Sequence, residues 1–160
     1  MDEKTNEHIG LEEGWSYILN EGILKVESFV NSRTPGSSQL SRFSIFNHTQ
    51  YMELYHKVYT MCSQRSPFNW AEALRERHKM YVKGYLEGTV LPNLQLKYHG
   101  NASLLAEYAK RWANHKFMTK CLNGFFKHLN KYAYQKCLDT TDKVSMDLFK
   151  NKVYLSLIHI

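Results

Sequence analysis

Apolar residues recur three and four positions apart near the start of the chain, as they do on the buried face of a helix. The stripe consists of Leu11, Trp15, Ile18, Leu19, Gly22, Ile23, Val26 and Val30. This spacing predicts a first helix over residues 11–30. Residues 31–47 mix proline, glycine and six serines or threonines, which favour turns over helix. We therefore expect a loop over residues 31–47.

Two further helices are predicted in the next part of the chain. The second begins at His48 or Thr49 and runs to about Cys62, because Ser66 and Pro67 then disfavour helix. Asn69 suits the amino-terminal cap of a third helix over residues 70–91. Pro92 is expected to end that helix, since proline lacks the backbone N–H that a helix interior requires.

The strongest periodic signal follows Asn101, which can cap a long helix. Residues three and four apart form an unbroken seam, namely Leu105, Tyr108, Trp112, His115, Thr119, Leu122, Phe126 and Leu129. Gly124 would cost an isolated helix about 1 kcal/mol, so we expect close packing against a neighbour there rather than a stop. A final helix over residues 144–157 completes an all-α prediction of five helices in one helical bundle, with one long helix and one long loop.

The second helix has more apolar surface than a core contact requires. Its apolar arc spans about half of the circumference, whereas a surface helix buries a stripe a little over ~100° wide. Leu54, Val58 and Met61 can therefore face the core. Three residues then remain partly outside: Met52, Tyr55 and Tyr59. Because protein interfaces favour tyrosine and methionine, this edge is a candidate contact surface.

The long helix carries a second row beside its seam, formed by Met118, Cys121, Phe125, His128 and Tyr132. In one interpretation the seam is core and the second row contacts a partner. In the other, both rows are buried because the helix lies in the centre of the bundle. Periodicity alone does not distinguish these two interpretations.

Composition indicates one globular domain, with 43% hydrophobic residues in a chain of 160. The net charge of +6 favours an acidic partner surface, which can belong to a nucleic acid or to a protein. We expect Cys62, Cys121 and Cys137 to be buried thiols, since their odd number and wide spacing favour neither disulfides nor zinc. The charged residues 1–8 are expected to form a flexible segment without a signal-peptide core, which favours the cytoplasm or nucleus.

No catalytic signature is present in the sequence. There is no phosphate-binding loop, no nucleophile elbow and no metalloprotease His-Glu-x-x-His motif. The histidines do not have the spacing of metal ligands either. We therefore predict no catalytic residue, no cofactor and no metal, and an enzyme of an unrecognised kind is the weakest alternative.

Four blocks of sequence, in this order, resemble the amino-terminal repeat of the cullin family. They are residues 9–15 (IGLEEGW), 51–59 (YMELYHKVY), 111–118 (RWANHKFM) and 120–132 (KCLNGFFKHLNKY). The second block looks like the second helix of that repeat in the cullins that recruit F-box proteins. The resemblance covers about residues 9–154 and implies a single five-helix cullin repeat over residues 9–157.

The resemblance also implies a function. The repeat would be a non-catalytic scaffold module of a cullin-RING ubiquitin ligase, docking a BTB/POZ-fold adaptor of the S-phase-kinase-associated type that carries F-box substrate receptors. Carried over by position, the partner-binding residues are Tyr51, Met52, Tyr55, Tyr59, His128, Lys131 and Tyr132. At His128 and Lys131 the family usually has an aromatic residue and an arginine. The cullin region that binds the RING-box protein is not among these residues.

The alternative function is that of a basic helical nucleic-acid-binding domain. It requires basic residues concentrated on one face, with aromatic rings free to stack on bases. The basic residues are instead scattered over two helices: Arg75, Arg77, Lys79, Lys110, Arg111, Lys116 and Lys127. Adaptor docking is therefore the favoured hypothesis, with no small-molecule substrate and no membrane partner.

Overall fold

Helices make up the regular structure of the residues that the computed structural model describes, which are 8–33, 44–97 and 101–158, without the side chains of 101 and 102. In chain order they are α1 (Leu11–Ile18), α2 (Leu24–Ser32), α3 (His48–Ser63), α4 (Ala71–Tyr85), α5 (Leu91–Leu96), α6 (Asn101–Phe125), α7 (Lys127–Gln135), α8 (Thr141–Phe149) and α9 (Leu155–Ile158). The all-α prediction is confirmed. The predicted segment at residues 1–7, the loop at 34–43 and the Asn101 cap lie outside the described part.

Short π-helical turns join three pairs of these helices into longer stretches. Leu19–Ile23 joins α1 to α2, Leu86–Val90 joins α4 to α5, and Lys150–Tyr154 joins α8 to α9. Each turn contains a hydrogen bond from a backbone N–H to the carbonyl five residues earlier. With α3 and the pair α6–α7, the described residues form the five helical stretches that the sequence predicts.

The start of α3 is defined by a side-chain cap formed by Asn47. The Gln50 N–H donates to Asn47 Oδ1 over 2.8 Å, and the Asn47 N–H donates to Gln50 Oε1 over 3.0 Å. This reciprocal pair satisfies two backbone donors that a helix end leaves free. At the start of α4 the N-cap position is occupied by Trp70 rather than by the predicted Asn69, although Asn69 Oδ1 accepts from the Ala71 N–H.

The prediction that Pro92 ends the third helix is wrong. The helical path continues through the π-helical turn into α5, and Pro92 occupies the first turn of α5. A proline is tolerated in the first turn of a helix, where a backbone N–H often has no intrahelical partner. The preceding Leu91 N–H already bonds to the Leu86 carbonyl, so the chain reaches Pro92 in helical conformation.

The predicted long helix is interrupted at Phe126, which has φ −90° and ψ 15° between α6 and α7. Both Phe125 and Phe126 are fully buried. The Phe125 ring packs against Phe46, which precedes α3, and the Phe126 ring packs against His78 on α4, so the two neighbours face different parts of the fold. Hydrogen bonds from Phe126 to Leu122 and from Asn130 to Phe126 still cross the break. The expectation of a continuous helix is therefore wrong.

Helix α6 is central, which decides between the two interpretations of its apolar rows. Met118, Cys121 and Phe125 from the second row are buried together with Leu122 from the seam. The interpretation in which both rows are core is confirmed for these residues. The predicted seam fails at its beginning, where Leu105 is 72% exposed.

Close backbone approach holds the amino-terminal helix against α3. Gly14 faces Met61, and a Cβ atom at Gly14 would overlap the Met61 thioether. The Ile9 backbone is held as well, because its N–H donates to Gln64 and its carbonyl accepts from Gln64 and Trp70. These contacts fix α1 along one side of α3.

The prediction that all three cysteines are buried is wrong for Cys137. That residue is exposed in the turn between α7 and α8 and has a left-handed backbone with φ 56°. Cys121 is buried, and Cys62 is partly buried. Burial raises the pKa of the Cys62 thiol to about 12, so this thiol stays protonated at neutral pH.

Two buried histidines lie among the helices α4, α6 and α8. The His115 Nε2–H donates to the Ser145 carbonyl over 2.8 Å, and its Nδ1 has no hydrogen-bond partner among the described residues. Burial lowers the pKa of His115 and lowers the pKa of His78 to about 4, with the positive charge of Arg75 contributing to the shift at His78. Both imidazoles are therefore neutral at physiological pH.

The buried histidines predict a loss of stability in acid. The folded-state pKa of His78 lies below the value of about 6.5 expected when unfolded, so the contribution of its neutral form is complete above pH 6.5 and lost as the pH falls toward 4. Lowering the pH from about 7.5 to about 5 should reduce the unfolding free energy by roughly 2 kcal/mol. Urea denaturation at both pH values measures this loss. His78→Leu should reduce this loss of unfolding free energy, whereas His56→Gln, at an exposed residue, should leave the loss unchanged. An equal loss in H78L and in the wild-type chain contradicts the assignment.

Candidate docking surface on α3 and α7

Helix α3 is buried along one edge and open along the other. Leu54, Val58 and Met61 are almost completely buried, as the helical projection predicts, and α3 packs against α1, α6 and α7. On the opposite edge Met52 and Tyr59 are each 42% exposed. Three packed sides thus leave a strip of large apolar side chains in contact with solvent.

Tyr51 and Tyr55 lie further inward than the exposed edge. Tyr51 is only 7% exposed and belongs to the core, while Tyr55 is half-buried. The sequence places Tyr51 in the middle of the apolar arc, where the projection alone does not show how far the neighbouring helix covers it. Any partner contact of Tyr51 is therefore limited to the small part of its side chain that remains accessible.

His128 connects α7 to the tyrosines of α3. Its ring centroid lies 5.0 Å from that of Tyr55 and 4.5 Å from that of Tyr59, with interplanar angles of 65° and 62°. These are edge-to-face contacts of the kind that aromatic pairs prefer. His56 also approaches Tyr59, at 6.0 Å between centroids. Four rings from two helices therefore lie close together on this surface.

The remaining two predicted partner-binding residues extend this surface along α7. Lys131 is exposed, and Tyr132 is half-buried with its hydroxyl donating to Glu72 Oε2 over 3.4 Å. Glu72 also pairs with Arg75 on α4. Tyr132 is therefore tied to α4, whereas the Lys131 ammonium is open to solvent.

A groove lies beside the exposed edge, between α3 and the junction of α6 with α7. It is about 510 Å³ in volume and is lined by Tyr51, Met52, Tyr55, Asn123, Gly124 and Lys127. Gly124 is half-buried and forms part of the groove wall, and its close packing against a neighbour stays a prediction. The groove is of a size that can accept side chains of a bound molecule.

Three groove residues were not identified by sequence reasoning: Asn123, Gly124 and Lys127. They come from α6 and α7, which are distant in sequence from α3, and their polar or small character gives no periodic signal. Only the presence of all three in the block 120–132 related them to the family resemblance. Their position beside Met52 is visible only in the three-dimensional structure.

The described residues also bear on metal sites and on membrane spans. Within residues 8–33, 44–97 and 101–158, no three His, Cys, Asp or Glu side chains are grouped so that they could hold a metal ion. In the same part of the chain, every helix is too short or too polar to cross a bilayer. The candidate site on the α3–α7 face is defined by the direct ring contacts of His128 with Tyr55 and Tyr59.

A family model and several relatives of the chain point to the same protein family. A family model described as the cullin alpha solenoid domain matches residues 38–160. The chain is 31% identical to Cullin-1 of Oryza sativa subsp. japonica over 147 residues, which covers 91% of this chain and 18% of the rice protein. It is 32% identical over 149 residues to Putative cullin-like protein 1 of Arabidopsis thaliana, covering 92% of this chain and 19% of that protein.

A more distant relative is found in a fungus. Cell division control protein 53 of Saccharomyces cerevisiae is 25% identical over 151 residues, covering 85% of this chain and 17% of the yeast protein. The chain thus spans about a fifth of the length of the relatives Cullin-1 and Putative cullin-like protein 1. No solved structure gives a significant match.

The difference in burial between neighbouring residues of α3 predicts a difference in stability effects. Tyr51→Ala should lower the unfolding free energy by about 3 kcal/mol, because it removes a large buried ring. Met52→Ala should change it by no more than about 0.5 kcal/mol, since Met52 is exposed. Urea denaturation of both variants measures the two effects. Equal stability of the two variants would show that Tyr51 is not part of the core.

Proposed function

This chain belongs to the cullin family, and on that basis we propose that it is a scaffold module of a cullin-RING ubiquitin ligase. In this proposal its α3–α7 face docks a BTB/POZ-fold adaptor of the S-phase-kinase-associated type, which carries F-box substrate receptors. The module itself is non-catalytic and holds the adaptor in place. We also propose that it works in the cytoplasm, the nucleus or both.

The observation that supports docking is the exposed edge of α3 beside His128. Met52 and Tyr59 are large apolar side chains that stay open to solvent although neighbouring residues of α3 are fully buried. They lie on a rigid helix that three other helices support. A few such anchors, together with a rim of other contacts, account for most of the affinity in many protein interfaces.

The polar groups around this edge suit a protein partner. Lys127 and Lys131 are exposed on α7, and the Tyr59 ring lies next to the His56 and His128 rings. Charged groups at the rim of an interface chiefly affect association rate and specificity, whereas central apolar anchors contribute most of the affinity. The arrangement therefore favours a partner with an apolar centre and acidic groups at its rim.

Nucleic-acid binding receives less support because several basic residues are paired within the chain. Arg75 pairs with Glu72, Arg77 with Glu12, and Arg111 with Glu107. The last pair is nearly buried, and Lys97 also contacts Glu107. These cations already have carboxylate partners, which reduces the positive charge available for a phosphate backbone.

Under the proposal, these residues supply the adaptor-binding part of a scaffold, and ubiquitin transfer also requires the region that the family uses to recruit the RING-box protein. An isolated module of this kind would compete with a full-length cullin for the adaptor. Added to a reconstituted ligase, it would lower the rate of substrate ubiquitination.

Calorimetric titration of the chain with a purified adaptor–F-box complex tests the proposal directly. We expect binding that persists when salt is raised, because apolar anchors do not depend on counterion release. Met52→Ala combined with Tyr59→Ala should weaken binding by several kcal/mol, since anchor residues typically contribute about 2 kcal/mol or more each. Circular dichroism should show that the double variant remains folded.

A matched control uses the same residue types at exposed positions elsewhere. Met80 on α4 is 67% exposed, and Tyr154 in the last π-helical turn is 46% exposed. Met80→Ala combined with Tyr154→Ala should leave adaptor affinity unchanged. If a folded wild-type chain does not bind, or if both double variants lose affinity equally, the proposed docking surface is wrong.

Lys131 provides a second test, because the family usually has an arginine at this position. Lys131→Arg should strengthen docking, by about 1 kcal/mol, since a guanidinium forms paired hydrogen bonds that an ammonium cannot. Lys136→Arg, at an exposed residue beyond the end of α7, is the control for a non-specific effect of arginine. Titration of the two variants side by side measures the difference; identical affinities would place residue 131 outside the contact.

A further inference from the structure

The proposed docking surface contains a titratable ring, the imidazole of His128. The imidazole of His128 is partly buried between Tyr55 and Tyr59, with 5.0 Å and 4.5 Å between ring centroids. Both contacts are edge-to-face, so the imidazole behaves as a third aromatic ring on this surface. The same position would tolerate a phenylalanine in shape, but only histidine changes charge near neutral pH.

The charges around His128 favour its neutral form. Its own helix contributes Lys127 and Lys131, one residue before and three residues after it. Burial and the charges of Lys131 and Lys127 lower the pKa of His128. The free surface therefore presents an uncharged imidazole at neutral pH.

The other elements packed against α7 do not offset these cations. From α3, the titratable groups beside His128 are the tyrosines Tyr55 and Tyr59, with His56 next to Tyr59. From α4, the acidic group in contact with α7 is Glu72, which already interacts with Arg75 and with the Tyr132 hydroxyl. The part of α6 at this groove contributes Asn123 and Gly124, which do not titrate.

We propose that the docking surface has a pH response of its own, in which the neutral ring of His128 forms part of the contact and its protonation weakens docking. This inference rests on the proposed function and adds a regulation to the same surface. A partner that covers Met52 and Tyr59 removes water from the adjacent His128. Removing water from an imidazole disfavours its charged form, and the two lysines add repulsion.

Thermodynamic linkage gives the direction and the limit of the effect. Because the complex holds His128 neutral, a chain in which His128 is protonated must release a proton before it docks. Affinity is therefore constant above the pKa of free His128 and falls below it, by at most about tenfold per pH unit. The response is opposite in sign to the one expected if a partner carboxylate lay against the ring, which would strengthen binding in acid.

The experiment compares adaptor binding of three chains between about pH 7.5 and about pH 5.5, a window that contains the ordinary range of histidine pKa values. The wild-type chain is compared with His128→Phe, which keeps a ring, and with His128→Gln, which keeps a neutral polar group. His8→Gln is the matched control, because this exposed histidine stacks on Phe68 and is not among the residues of the docking surface. Circular dichroism at each pH shows that the compared chains are folded, since the buried histidines predict some loss of stability in acid.

We expect the wild-type chain and H8Q to lose affinity as the pH falls. H128F and H128Q should lose less, because the proton that His128 binds no longer contributes. Titration of the adaptor itself affects all four chains equally and cancels in this comparison. Parallel curves for all four chains, or a wild-type affinity that rises in acid relative to H128F, would overturn the inference while leaving the proposed function intact. Absence of wild-type binding at about pH 7.5, where His128 is neutral, would overturn the proposed function itself.

Discussion

Two adjacent phenylalanines, Phe125 and Phe126, impose the constraint on which the arrangement of the helices depends. Neighbouring residues of a helix point about 100° apart, so burying both requires protein on two sides of the chain. Phe125 meets Phe46, and a Cβ atom on Gly22 of the first helical stretch would touch its ring. Phe126 meets His78 on α4. The end of α6 is therefore enclosed between the first helical stretch and the third.

The same constraint produces the docking surface. Beyond the break at Phe126, α7 packs against α3 and α4. His128 then reaches the tyrosines of α3, while Met52 remains uncovered at the groove beside Gly124. A surface of contacts between residues more than sixty positions apart in the chain is thus a consequence of how the core is filled. Its rigidity follows from that packing, which favours binding without large rearrangement.

Much of the fold could be predicted from local signals, because each signal has a local cause. The start of α3 near His48 and its buried edge follow from short-range hydrogen bonding and from helical spacing, and both are present. The effect of Pro92 was misjudged because a π-helical turn upstream decides whether a proline is tolerated, and no residue type reliably signals such a turn. The exposure of Cys137 depends on a left-handed residue in a tight turn, which the expectation of a buried thiol did not consider.

The candidate site was only partly predictable from the residues themselves. Spacing on one helix identified the exposed edge at Met52 and Tyr59, since a projection shows which side chains exceed the needs of the core. It did not show that Tyr51 is nearly buried, because that depends on how far neighbouring helices cover α3. The residues of α7 were identified through the family resemblance, and the ring contacts of His128 became visible only in three dimensions.

The π-helical turns have a consequence for homologous chains. Each turn accommodates one more residue than a regular turn of α-helix. Single-residue insertions and deletions are therefore expected inside these helices as well as in loops, without any shift of the buried stripes on either side.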